Sequence, residues 1–214
     1  MPPLCSDDRR ELLALARAAL TEAVLHNRVP DLPPPAGRLA ERAGAFVTLH
    51  HQGRLRGCVG LSGRSLSLGE TIVQSAVSAA RNDPRFTAIG AWELSEVEIE
   101  ISVLSVPEAI APGAIQAGTH GLLVIRGSHR GLLLPQVAVE RSWPALRFLE
   151  ETCRKAGLEP DDWRHPQTQL LAFTAEIFSE REFHQTAPDA DGRGPAKRDA
   201  PGAVTTPEKS GPAT

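Results

Sequence analysis

This chain is short of aromatic residues, short of cysteine and without an excess of either charge, and each shortage closes off a class of function. Aromatics make up 4% of its 214 residues and the formal net charge is −3, with both signs mixed along the chain. With no basic stripe to meet phosphates and few rings to stack on bases, neither nucleic acid nor an anionic membrane is an expected partner. No apolar run approaches the roughly 20 residues that span a bilayer. The opening Met1-Pro2-Pro3-Leu4-Cys5-Ser6 lacks the basic start and apolar core of a signal peptide. Cys5, Cys58 and Cys153 are an odd number at wide spacing, which argues against a disulfide framework and fits a reducing, cytoplasmic setting. No pair among the seven histidines and three cysteines has recognised ligand spacing, so no metal site is expected.

What is present is the patterning of one compact domain, expected over residues 1–186, followed by a tail (187–214) of Pro, Ala, Gly, Asp and Thr that reads as disordered. Ser6 and Asp7-Asp8 open a helical pattern in which Leu12, Leu15, Ala16, Ala19, Leu20, Ala23 and Val24 share a face; it ends near His26, ahead of a proline-rich loop from Pro30 to Gly37. Ala45 to His51 and Arg54 to Leu61 read as strands joined by a Gln52-Gly53 turn. A two-residue turn pairs Leu49 with Arg56 and Val47 with Cys58. The spacing predicts a helix from Ser67 to Asn82, stopped by Asp83-Pro84. Val97 to Val106 alternates as a strand, and Leu122–Arg126 with Gly131–Leu134 forms a second hairpin. A third helix has Trp143, Leu146, Leu149 and Cys153 along one side, with Pro144 in its first turn and Gly157 at its end. Leu171, Phe173, Ala175 and Ile177 alternate as a last strand. Helices and hairpins mix without regular strand–helix–strand alternation, which predicts an α+β fold with largely antiparallel sheet and flanking helices.

The stretch Leu55-Arg56-Gly57-Cys58-Val59-Gly60 stands out because a strand interior is weakened by glycine. Strand parity puts Arg56 and Cys58 on one face, where a guanidinium would favour the thiolate, the nucleophilic form. Gly57 and Gly60 would leave room for a substrate or for amides that meet a developing negative charge. The opposite reading is a buried cysteine acting as a small hydrophobe. Cysteine catalysis needs a partner within hydrogen-bond reach. His120, between Gly118-Thr119 and Gly121, is the preferred base, or else it orders a turn. Of His50 and His51, at most one shares the face of Cys58. Glu98 and Glu100 share a strand face and either perturb one another and hold a cation or are simply solvated. Gln136 either hydrogen-bonds a substrate amide or satisfies local backbone.

The same stretch, together with Asp83-Pro84-Arg85-Phe86, Glu98 to Ser105, Gly118-Thr119-His120-Gly121-Leu122, Leu133 to Ala138, Trp143, Cys153 to Leu158 and Trp163, resembles the AMMECR domain family in its AmmeMemoRadiSam system protein A form. The family signature usually has isoleucine where this chain has Val59. The resemblance covers roughly Asp8 to His184. It implies a two-lobed α+β domain with the cysteine signature near a cleft between lobes, and association with a Memo-like protein and a radical SAM enzyme. It implies no particular reaction, substrate or cofactor. Two expectations follow. One is a cysteine-dependent enzyme or carrier with Cys58 as nucleophile or acyl/thiol carrier, Arg56 as thiolate stabiliser and anion clamp, and His120 as base. The other is a non-catalytic module that binds a protein or ligand through the same cleft.

Overall fold

The computed structural model describes residues 3–30 and 35–184, so the expected tail lies outside the described residues. Two four-stranded sheets, antiparallel throughout, organise the chain. The first runs β2 (Arg54–Leu61), β1 (Ala45–His51), β3 (Val97–Leu104), β8 (Ala175–Ser179). The second runs β4 (Glu108–Ala109), β7 (Gln169–Phe173), β5 (Gly121–Arg126), β6 (His129–Leu133). The second sheet is therefore an insertion between β3 and β8. The chain leaves the first sheet after Leu104 and returns at Thr174, and these two crossings are tied together. Ser105 N–H donates to the Thr174 carbonyl and Thr174 N–H to Ser105 Oγ, both at 2.9 Å.

Each sheet has its own helical cover. Helix α1 (Ser6–His26) and helix α2 (Leu68–Arg81) lay Leu12, Ala16, Leu20, Ile72 and Ala76 on Val47, Leu49, Ile99, Ile101 and Phe178 of the first sheet. Helix α4 (Ala145–Lys155) lays Phe148, Leu149 and Cys153 on Leu122, Val124 and Ala172 of the second. A smaller apolar cluster joins the two sheets: Leu104, Leu123 and Phe173, with Phe46, Leu132 and Leu134 packed on it. Two short helices, α3 (Pro135–Glu140) and α5 (Glu180–His184), complete the described chain. No helix among the described residues is long and apolar enough to cross a membrane.

The strand bounds of the first hairpin and the helix stop at Asp83-Pro84 match the sequence patterning, and several local details differ. Helix α1 opens at Ser6 as its patterning has it, and the cap is the residue ahead, Cys5: its Sγ accepts from Asp8 N–H and its own N–H donates to Asp8 Oδ2, a capping box with sulfur in the place of a hydroxyl. The buried side of α4 holds Phe148, while Leu146 faces water. The final alternating segment is two strands broken at Thr174. In the first hairpin the register shifts by one between Leu49 and His50, so Thr48 pairs with Cys58, Leu49 with Gly57 and Val47 with Val59. Arg56 is the extra residue of that bulge.

Candidate functional site around Cys58

The glycines of the signature are spent on packing. Gly57 faces α2, and a Cβ there would stand 2.4 Å from the Ala79 carbonyl oxygen. Only glycine lets strand and helix approach so closely. At Gly60 a Cβ would lie 2.3 Å from the Phe46 ring. The room beside both residues, expected to serve a substrate, is filled by protein.

Cys58 points to the other face of the sheet, away from α1 and α2, and is half-buried and unbridged. Thr48 Oγ1 donates to its Sγ at 3.3 Å. Its backbone is clamped on both sides by the loop after α2. Cys58 N–H donates to Asp83 Oδ2 at 2.9 Å and its carbonyl accepts from Arg85 Nη2 at 3.0 Å. The buried Asp83 carboxylate also accepts from Arg85 N, Nε and Nη2. The Arg85 bond, more than the backbone N–H groups of Cys58 and Arg85, holds its pKa well below the usual carboxylate range despite burial. Arg85 is pushed up in turn, chiefly by Asp83 and to a smaller degree by the Cys58 thiol.

Arg56, the expected neighbour of the thiol, is placed elsewhere. Displaced by the bulge, its guanidinium turns to the loop before β3. Nε and Nη2 donate to the buried Glu93 carboxylate at 2.7 and 3.1 Å, and Nη1 to the Thr87 carbonyl at 2.7 Å. The arginine beside Cys58 is Arg85, 27 positions further along the chain. Two motifs that the sequence shows as separate blocks thus form one frame, with Arg56–Glu93 anchoring β2 on one side of Gly57 and Asp83–Arg85 on the other.

His120 Nδ1 accepts Gln116 N–H at 3.1 Å and orders the turn into β5; it makes no hydrogen bond to Cys58 among the described residues. The histidine on the face of Cys58 is His50, two residues beyond Thr48, and its Nε2 is buried without a partner among the described residues. His51 goes the other way, to Glu96 at 2.7 Å and the Trp92 ring.

A row crosses the sheet from Cys58 through Thr48 to Glu100, which are register partners in turn. Glu98 is tied to Arg181 at 2.7 Å. Glu100 has no cation at ion-pair distance among the described residues, and burial pushes its pKa up; His50 opposes that shift, while Glu140, Glu98 and Glu182 reinforce it. Gln136 of α3 reaches over from the inserted sheet. Its Nε2 donates to Ser102 Oγ at 3.1 Å, and its Oε1 is buried and unpartnered. Gln136 lies in the first turn of α3, and its contact ties that helix to the first sheet.

No group of three or more His, Cys, Asp or Glu side chains among the described residues is arranged to hold a metal ion. A crevice of about 380 Å³ lies elsewhere, along Arg17, Ser95 to Glu98, Glu180 and Arg181, and its arginines are already paired with Glu180 and Glu98.

Fold and site together define a class: a two-sheet α+β protein that holds one thiol in a rigid frame on a polar sheet face. Comparison with known proteins makes this specific. The AMMECR1 family model matches residues 13–178. A protein of Methanothermobacter thermautotrophicus is 43% identical over 188 residues, covering 83% of this chain and 97% of its own length. One of Thermococcus kodakarensis is 44% identical over 181 residues, covering 79% and 88%. The crystal structure of an uncharacterized protein from Pyrococcus horikoshii matches with a TM-score of 0.73 at 40% identity, over 79% of this chain and 90% of that one. The chain belongs to the AMMECR1 family.

Proposed function

We propose that the chain works through the Cys58 thiol, as a cysteine-dependent enzyme or carrier acting with a Memo-like protein and a radical SAM enzyme. One observation carries this reading: a half-buried thiol whose own N–H and C=O are both fixed by Asp83 and Arg85. Immobilising a nucleophile's backbone lowers the entropic cost of presenting it to a reacting group. Arg85 supplies the positive neighbour expected of a reactive cysteine, and Thr48 a hydroxyl donor to sulfur. The association with those partners comes from the family resemblance.

A second reading is favoured by a different observation. Arg56, Gly57 and Gly60 are all accounted for by packing and ion pairing, so the signature also makes sense as architecture for a binding surface with the thiol a mere contact. A Cys58→Ser variant separates the two. Loss of the pathway's output with partner affinity intact supports the enzyme or carrier, whereas unchanged output supports the binding module.

A further inference from the structure

The face beside Cys58 carries buried hydrogen-bonding atoms that no other group satisfies among the described residues. Glu100, one strand beyond Thr48, has no cation at ion-pair distance among the described residues. Glu140 on α3 lies close enough to perturb it. Among the described residues Gln136 Oε1 and His50 Nε2 are each buried with no partner, the first beside Ser102 and the second across from Glu98, on either side of Glu100 along β3. Buried polar atoms are rarely left unpaired, so two of them beside one carboxylate mark a place where a ligand's donors belong. The cations nearby are engaged: Arg85 by Asp83, Arg56 by Glu93 and Arg181 by Glu98.

The geometry points to a subsite, formed by His50, Glu100 and Gln136 beside Cys58, that takes a small molecule bearing a primary ammonium or another N–H-rich group. This inference rests on the reading of Cys58 as a presented thiol. Glu100 supplies the counter-charge, Gln136 Oε1 accepts an N–H bond, His50 Nε2 accepts another in the tautomer that carries its proton on Nδ1, and the thiol meets the part of the molecule next to the nitrogen. An anionic ligand is disfavoured, because Glu98, Glu100 and Glu140 face the region and Arg85, already paired, is the cation nearest the sulfur.

The test uses the full chain carrying Cys5→Ser; Cys153 is kept because it is fully buried in the second core. Cys58 is modified with 2-aminoethyl methanethiosulfonate and with its anionic sulfonatoethyl analogue, and the labelled peptide is quantified by mass. The ratio of the two rates cancels the thiolate fraction common to both. Relative to the urea-unfolded chain, the folded ratio is expected to favour the cation by about tenfold or more at low salt, since Glu100 lies two strand spacings, about 10 Å, from Cys58. The preference should grow with pH as Glu100 ionises, shrink as salt rises, and fall several-fold in Glu100→Gln and, less, in the surface variant Glu140→Gln. Ethylammonium should also slow iodoacetamide modification saturably, whereas tetramethylammonium at matched ionic strength should not. A folded ratio equal to the unfolded one, or equal protection by both cations, overturns the subsite alone. Failure of every reagent to reach Cys58 overturns the thiol reading and the subsite with it.

Discussion

Asp83→Ala removes the group that fixes the position of Cys58, and the structure sets the size of the effect. The carboxylate accepts two backbone N–H groups, from Cys58 and Arg85, and the Arg85 guanidinium. Each backbone N–H left without an acceptor in this part-buried setting costs about 1 kcal/mol. The ion pair adds no more than about 1 kcal/mol, because the Arg85 side chain is 53% exposed and can turn to water. The sum is about 3 kcal/mol, or about 6–12 °C in Tm for a domain of this size. The pH dependence supplies an internal control. Asp83 has a depressed pKa in the folded state, so its contribution is fully present above the unfolded value of about 3.9 and is lost as pH falls below it. Urea unfolding followed by circular dichroism should therefore show the full gap between wild type and variant at pH 7, narrowing below about pH 4. A variant within about 0.5 kcal/mol of wild type at pH 7, or a gap that holds constant to low pH, would refute the clamp.

Three further substitutions test the frame and the cores. Gly57→Ala should cost about 1–3 kcal/mol through overpacking against α2, read as a lower urea midpoint with an unchanged m-value. Arg56→Lys should lose the two-pronged contact with Glu93 and lower Tm by several degrees, since a lysine cannot reproduce the guanidinium fork. A stability equal to wild type would mean that the fork is unimportant. Phe148→Ala should cost about 3–5 kcal/mol in the second core, while Leu146→Ser, at an exposed position on the same helix, should leave the urea midpoint within error.

Local patterning carried the fold a long way. The first hairpin is bounded by a Gln52-Gly53 turn whose two residues both have positive φ, at 51° and 75°, a geometry that glycine at the second position makes legible. Helix α2 is marked by Ser67 and Glu70 at one end and Asp83-Pro84 at the other. What escaped depends on pairing that no single segment encodes. The bulge at Arg56 leaves no mark in the sequence of its own strand and becomes visible only against β1. Leu171, Phe173 and Ala175 share the cluster between the sheets, but past the crossing at Thr174 the core residue is Phe178 while Ile177 faces water, a change of environment that the alternation itself does not mark. Helix α3 has six residues, too few for a helical period to register. In the site, Cys58 was legible from its signature, but proximity along the chain singled out Arg56 where the fold supplies Arg85. In the sequence His50 stands as one of an adjacent pair of which at most one shares the face of Cys58, and Glu100 as one of two strand carboxylates that either hold a cation or are solvated. Their juxtaposition with Gln136 needs both sheets in place.

The most direct test of the account is the pH dependence of iodoacetamide alkylation at Cys58, followed peptide by peptide in the folded chain and in its Asp83→Ala variant. The account predicts that folded Cys58 reacts at least as fast as a cysteine in an unfolded peptide and that loss of the clamp slows it. Alkylation that appears only when the protein unfolds would contradict it, and Cys58 would then stand as a packed structural cysteine.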